Sequence, residues 1–143
     1  APEEIARKFE QVKQATDLHT ATLTQRAVYE VVKDGFLNEH IPTIRTLYHA
    51  QAQAMLGALS EFMPNNVKWN QPAGGMFLWL ELPEGMDSEE MLKKALERNI
   101  AYVPGTPFYA NEPVRNTLRL AFVTVPEEKI RAGVKVLGEV FGQ

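Results

Sequence analysis

Apolar positions change their spacing several times along this chain, and each change marks an element. Ile5, Phe9 and Val12 recur at helical spacing behind Ala1-Pro2-Glu3-Glu4, a start with proline and acids in the first turn. Thr16-Asp17-Leu18-His19-Thr20-Ala21-Thr22 interrupts the pattern, because Thr and Asp side chains offer the backbone competing hydrogen bonds. A kink or break is expected there, then helix from Thr24 to Lys33, closed by Asp34-Gly35 with Gly as the C-terminal cap. Asn38 begins the next helix, with Pro42 tolerated in the first turn or bending it. Its mostly apolar stripe is Ile44, Leu47, Tyr48, Gln51, Met55, Leu59 and Phe62, and Pro64-Asn65-Asn66 stops it.

Beyond that stop the period shortens to two. Val67-Lys68-Trp69 reads as a short strand, and Pro72-Ala73-Gly74-Gly75 leads into a longer one, Met76 to Leu82. Phe77, Trp79 and Glu81 point to one side of it; Met76, Leu78, Leu80 and Leu82 point to the other and are expected to meet the core. The odd-numbered side is aromatic and ends in a carboxylate, so it faces something half-wet. Asp87 or Ser88 caps a helix running to about Arg98, with Met91, Leu92, Ala95 and Leu96 as its buried stripe. Asn99 to Val103 is a helix exit and short strand, and Pro104 to Tyr109 is a rigid, turn-rich loop. Thr117 to Phe122 is a strand with Leu118, Leu120 and Phe122 on one face and Arg119 on the other. Pro126 opens a last helix that packs through Ile130, Val134, Leu137, Val140 and Phe141. The class is α/β or α+β: a small, mostly antiparallel sheet covered by helices, preceded by a long kinked helix.

Composition narrows this picture. The 143 residues are enough for a domain with a core, and a hydrophobic content of 45% with 23% charged residues is that of a globular chain. A net charge of −3 argues against a nucleic-acid surface, and no apolar run approaches membrane-spanning length. Ala1 to Lys13 reads as charged helix and not as a secretion leader. The absence of cysteine excludes disulfides and thiolate metal sites and leans toward a cytoplasmic origin.

Few residues invite chemistry. His19, His40 and His49 have no metal-like spacing, so no metal site is expected. Lysines such as Lys68, Lys93, Lys94 and Lys129 stand on charged helical faces or beside turns, and none reads as a desolvated nucleophile. Arg119 stands apart, mid-strand between apolar neighbours. Its planar fork suits a carboxylate held bidentately, and the plainer alternative is an exposed strand arginine paired with a surface acid. Gly74-Gly75 admits either a tight turn into a central strand or the close approach of a bound molecule beside Gly75 and Phe77.

Three stretches in order, Pro72-Ala73-Gly74-Gly75-Met76-Phe77-Leu78-Trp79, then Val103-Pro104-Gly105 through Phe108-Tyr109, then Leu118-Arg119-Leu120-Ala121-Phe122, resemble the C-terminal small domain of class I/II, fold type I, pyridoxal-phosphate aminotransferases. The subgroup is similar to the 2-aminoadipate and kynurenine aminotransferases, and Leu18-His19-Thr20 through Thr24-Gln25 resembles its kinked interdomain helix. The resemblance implies a connecting helix over residues 1–37 and a small domain over 38–143. It implies that Arg119 binds the α-carboxylate of the substrate, that Phe77 and Gly75 line the substrate side, and that Phe108 shapes the wall. The cofactor, pyridoxal 5′-phosphate, is held in that family by a lysine and an acid of the large domain. No matching lysine motif occurs here, so the chain is expected to be a fragment without catalytic residues of its own, inactive alone. No cofactor-binding residue is assigned. Implied partners are an amino acid, a 2-oxo acid, the missing large domain and a second subunit of a homodimer; nucleic acid and membrane are not among them. The competing resemblance is to helix-turn-helix regulators of the GntR/MocR type, which carry an aminotransferase-like domain.

Overall fold

The computed structural model describes residues 1–142. Helix α1 spans Glu3–Thr16 and helix α2 spans Thr22–Val32, so the threonine-rich stretch is a true break. Thr16 donates its hydroxyl to the Val12 carbonyl at 2.8 Å, and Leu18 turns into the left-handed region at φ 62°. The Gln25 side chain then donates to the Thr20 carbonyl at 2.6 Å, and α2 starts at Thr22, two residues earlier than the pattern predicts. Gly35, at φ 88°, closes α2, and α3 runs Phe36–Phe62. Its start also precedes the expected Asn38, whose amide donates to the Gly35 carbonyl at 2.9 Å.

The chain divides into two compact units, residues 1–43 and Ile44 onward, with the boundary inside α3. In the first unit neither α1 nor α2 buries a residue. Phe9 is 68% exposed and Leu23 83% exposed, and Ile5, Val12, Val28 and Val31 are exposed with them.

The second unit holds the sheet. Its strands are β1 (Lys68–Trp69), β2 (Phe77–Glu81), β3 (Val103–Pro104) and β4 (Thr117–Ala121), in the order β1-β2-β4-β3, all pairs antiparallel. Pro104 lies on an edge strand, where its missing N–H is tolerated. The helices α4 (Ser88–Glu97) and α5 (Glu127–Phe141), with the second half of α3, supply the rest of the core. Leu78, Leu80 and Leu118 are fully buried beside Met55, Leu59, Val134 and Leu137. Alternation along β2 and β4 thus sends one face inward, as read from the sequence, and leaves Phe77, Trp79, Glu81 and Arg119 on the other.

Three expected core positions lie outside it. Leu47 is exposed because it lies one turn before Gln51, where the buried face of α3 through Gln51, Met55, Ala58 and Leu59 begins. Leu96 is exposed because Ser88, Met91 and Ala95 define the inner face of α4, and Leu96 is one residue past it. Met76 is exposed just before β2, with only its carbonyl engaged, by the Phe122 amide at 3.2 Å.

Candidate functional site

The open face of the sheet is built by register. Arg119 lies at the middle of β4, directly opposite Trp79 of β2 on one side and Val103 of β3 on the other. Phe77, two residues from Trp79 along β2, shares that face. Phe108 arrives from a 3-10 turn, Thr106–Phe108, that follows β3. That turn is pinned at its start by two contacts. The Gly105 amide donates to the Thr117 carbonyl at 2.7 Å, and the Thr106 hydroxyl donates to Glu89 Oε1 at 2.6 Å. A Cβ at Gly105 would lie 2.0 Å from Thr117 Oγ1, so only glycine lets the turn approach β4 this closely.

The result is a cation packed against two rings. The Arg119 guanidinium carbon is 4.0 Å from the Phe77 ring centroid and 4.9 Å from that of Phe108. Such contacts contribute about 0.5–1 kcal/mol each at partly exposed positions. Trp79 meets Phe108 edge to face, with centroids 5.5 Å apart, and Tyr109 lies 6.4 Å from Trp79. Arg119 is half-buried and forms no ion pair among the described residues. Glu81, on the same sheet, sits 4.0 Å from Lys68. The surface-acid pairing of Arg119 is therefore not what forms. A guanidinium stacked on rings keeps its in-plane N–H donors available, and a carboxylate is the group that matches that fork.

Two groups near the site have shifted titrations. The Arg115 hydrogen bond, then the Glu89 amide, holds the Asp87 carboxyl below its ordinary range. Burial pushes the Tyr102 phenol up; its hydroxyl donates to the Ser88 carbonyl at 2.6 Å.

Of the four residues singled out from the sequence, Arg119, Phe77 and Phe108 come together. Gly75 does not join that cluster. At φ 92° it turns the chain into β2, and it lines a separate groove of about 610 Å³ between α3 and the loop Pro72–Gly75, with Tyr48 and His49 opposite. Trp79, Tyr109, Gly105 and Thr117 were not singled out, although the period of two already placed Trp79 on the Phe77 side. Arg119 also stands on the wall of a cleft of about 560 Å³ where Asn99–Tyr102 runs beside α5, with Lys129 at the first turn of that helix.

The cluster itself contains no lysine, and every lysine of the chain is exposed. The cation and aromatic wall suit the carboxylate end of a substrate; the residues present do not build a seat for an aldehyde cofactor, which needs an amine nucleophile at the site.

Fold and cluster together define an α+β domain that presents one ring-stacked arginine on the open face of an antiparallel sheet. The chain belongs to the class I and II aminotransferase family, whose profile matches residues 1–137. It is similar to aromatic-amino-acid aminotransferase 1 of Thermococcus litoralis, 52% identical over 133 residues, covering 93% of this chain and 32% of that protein. Among solved structures it is similar to the α-aminoadipate aminotransferase LysN of Thermus thermophilus, complexed with N-(5′-phosphopyridoxyl)-L-leucine, with a TM-score of 0.85 and 45% identity over 99% of this chain and 36% of that one. A weaker likeness, 27% identity over 96% of this chain and 28% of the relative, is to the helix-turn-helix-type transcriptional regulator YdfD of Bacillus subtilis. The chain spans about one third of the length of the relatives it matches.

Proposed function

We propose that this chain is the small domain of a pyridoxal-phosphate-dependent aminotransferase that moves an amino group between an amino acid and a 2-oxo acid. Arg119 binds the substrate α-carboxylate, with Phe77 and Phe108 as the wall beside it, and Gly75 shapes the entry to β2. The domain is divided as a connecting segment, residues 1–37, and the small domain proper from residue 38. A large domain supplies the lysine that takes the cofactor aldehyde. When bound, pyridoxal phosphate supplies the electron sink for proton removal at the substrate α-carbon; this chain's part is to hold and orient the carboxylate. The substrate class is 2-aminoadipate, aromatic or branched-chain amino acids, the whole protein is a cytoplasmic homodimer, and this chain alone is inactive.

One observation carries the reading: the Arg119 guanidinium packs against two aromatic rings, half-exposed and, among the described residues, without an acidic partner. The test is Arg119→Lys in the whole enzyme. Loss of a bidentate charged pair predicts a fall in kcat/KM of about tenfold to several hundredfold for amino acid and oxo acid alike. An unchanged kcat/KM for both overturns the assignment.

The regulator reading has the YdfD likeness behind it. The much higher identity to the Thermococcus litoralis enzyme favours catalysis. Sequence-specific DNA binding by the whole protein, without turnover, would reverse that preference.

A further inference from the structure

We propose that Trp79 is a positioning residue for Arg119, acting through Phe108; the proposal deepens, and rests on, the carboxylate reading of Arg119. Trp79 is the residue directly across the ladder from Arg119 and shares its face of the sheet. An arginine opposite a tryptophan has an indole within reach across the ladder, and indole is the best of the aromatic faces for a cation. The guanidinium nevertheless stacks elsewhere, 4.0 Å from the Phe77 centroid and 4.9 Å from the Phe108 centroid.

The indole packs instead against the two aromatic rings of the 106–109 segment. Phe108 meets it edge to face at 5.5 Å with an interplanar angle of 85°, and Tyr109 tilts against it at 6.4 Å. Trp79 is itself held. Its amide donates to Asn70 Oδ1 at 2.8 Å, and its carbonyl accepts from the Asn70 amide at 3.2 Å. Phe108 is fixed from its own side by the 3-10 turn, whose Gly105 seats against Thr117. A chain of contacts therefore runs from Asn70 through Trp79 to Phe108 and then to the guanidinium.

Its effect is to point Arg119 without neutralising it. An acid would orient the same side chain, but would also occupy the donors a substrate carboxylate needs. Two rings in contact with the guanidinium orient it without accepting its N–H donors. No side-chain hydrogen bond from Arg119 to another described residue competes with that arrangement. Remove the indole, and Phe108 loses the surface that holds its ring upright beside the guanidinium.

The test uses the 143-residue chain, uniformly 15N-labelled. The Arg119 Nε–Hε resonance is assigned by its loss in Arg119→Lys, and its upfield ring-current shift is read without ligand. Trp79→Leu is expected to move the resonance back toward the position of a free arginine, while Trp79→Phe retains most of the shift. Leu78 and Leu80 methyl resonances, on the opposite face, report that the sheet is intact. Titration with 2-oxoglutarate should then show affinity about three- to tenfold weaker in Trp79→Leu, and within about twofold of the parent in Trp79→Phe. An unmoved Arg119 resonance in Trp79→Leu, with both methyls in place, overturns the proposal. Should Trp79→Leu disturb the methyls, Phe108→Leu decides: it removes the intermediate ring and leaves the ladder, and an unmoved Arg119 resonance there is equally fatal. If 2-oxoglutarate leaves the parent resonance unchanged, the carboxylate reading falls, while the ligand-free shift still decides whether Trp79 positions Arg119.

Discussion

Gly105 and Thr117 meet so closely that the residue type at each decides whether Phe108 reaches the site. A Cβ at position 105 would sit 2.0 Å from Thr117 Oγ1 and 2.9 Å from the Thr117 carbonyl oxygen. Neither neighbour can give way freely. Thr117 is buried, its hydroxyl donates to the Val114 carbonyl at 3.0 Å, and its carbonyl accepts the Gly105 amide at 2.7 Å. Gly105→Ala should therefore destabilise the chain by about 1–3 kcal/mol, the usual range for overpacking, and should reduce the ring-current shift at Arg119. Urea unfolding with an unchanged slope measures the first effect. The double variant with Thr117→Ala should recover only part of the loss, because the carbonyl stays in the way; complete recovery would show that the hydroxyl alone sets the fit. The sequence showed glycine in a proline-rich loop but not its reason, which is a contact across a dozen residues of chain.

At the scale of elements, α4 depends on its N-cap residue more than its composition suggests. Asp87 Oδ1 accepts the Glu89 amide at 2.8 Å, and Oδ2 accepts from Arg115 at 2.9 Å, so one carboxylate caps the helix and ties it to the segment before β4. Its pKa is depressed, chiefly by Arg115. A depressed folded pKa means the contribution is complete above the ordinary aspartate value, about 3.9, and is lost as pH falls through the lower folded value. In Asp87→Asn the stability deficit should accordingly be largest at neutral pH and shrink at strongly acidic pH; urea midpoints across that range measure it, and a deficit independent of pH would remove the charge from the account. The cap was legible to within one residue, Asp87 or Ser88. What separated them was not: Ser88 is fully buried, with its amide on the Arg115 carbonyl and its own carbonyl taken by Tyr102. The same division holds for the site. Period two placed Phe77, Trp79 and Arg119 on common faces, because alternation is a local property. The choice of which ring the guanidinium meets depends on the register of β2 against β4 and on the path of the 106–108 turn, and neither is written in any one stretch.

At the scale of the molecule, the core is confined to one part of the chain. The buried residues fall between Gln51 and Phe141, whereas α1 and α2 bury nothing and carry Ile5, Phe9, Val12 and Leu23 in the open. The compact units divide between Thr43 and Ile44, before the buried face of α3 begins at Gln51. A chain starting at Ile44 therefore keeps every strand and the whole core, and loses α1, α2 and the early turns of α3. It is expected to fold cooperatively and to melt within a few degrees of the full chain. The full chain should behave differently at high concentration. Covering even two of its exposed side chains stabilises association by about 3–6 kcal/mol, so copies should pair through residues 1–43, while the shortened chain stays monomeric. Thermal melts and light scattering behind size-exclusion chromatography measure both. A shortened chain without a cooperative transition would mean that the core draws support from the first unit. A monomeric mass for each would mean that the apolar positions of α1 and α2 do not drive self-association, and would leave a partner of another kind, such as the large domain of an aminotransferase, as the way to cover them.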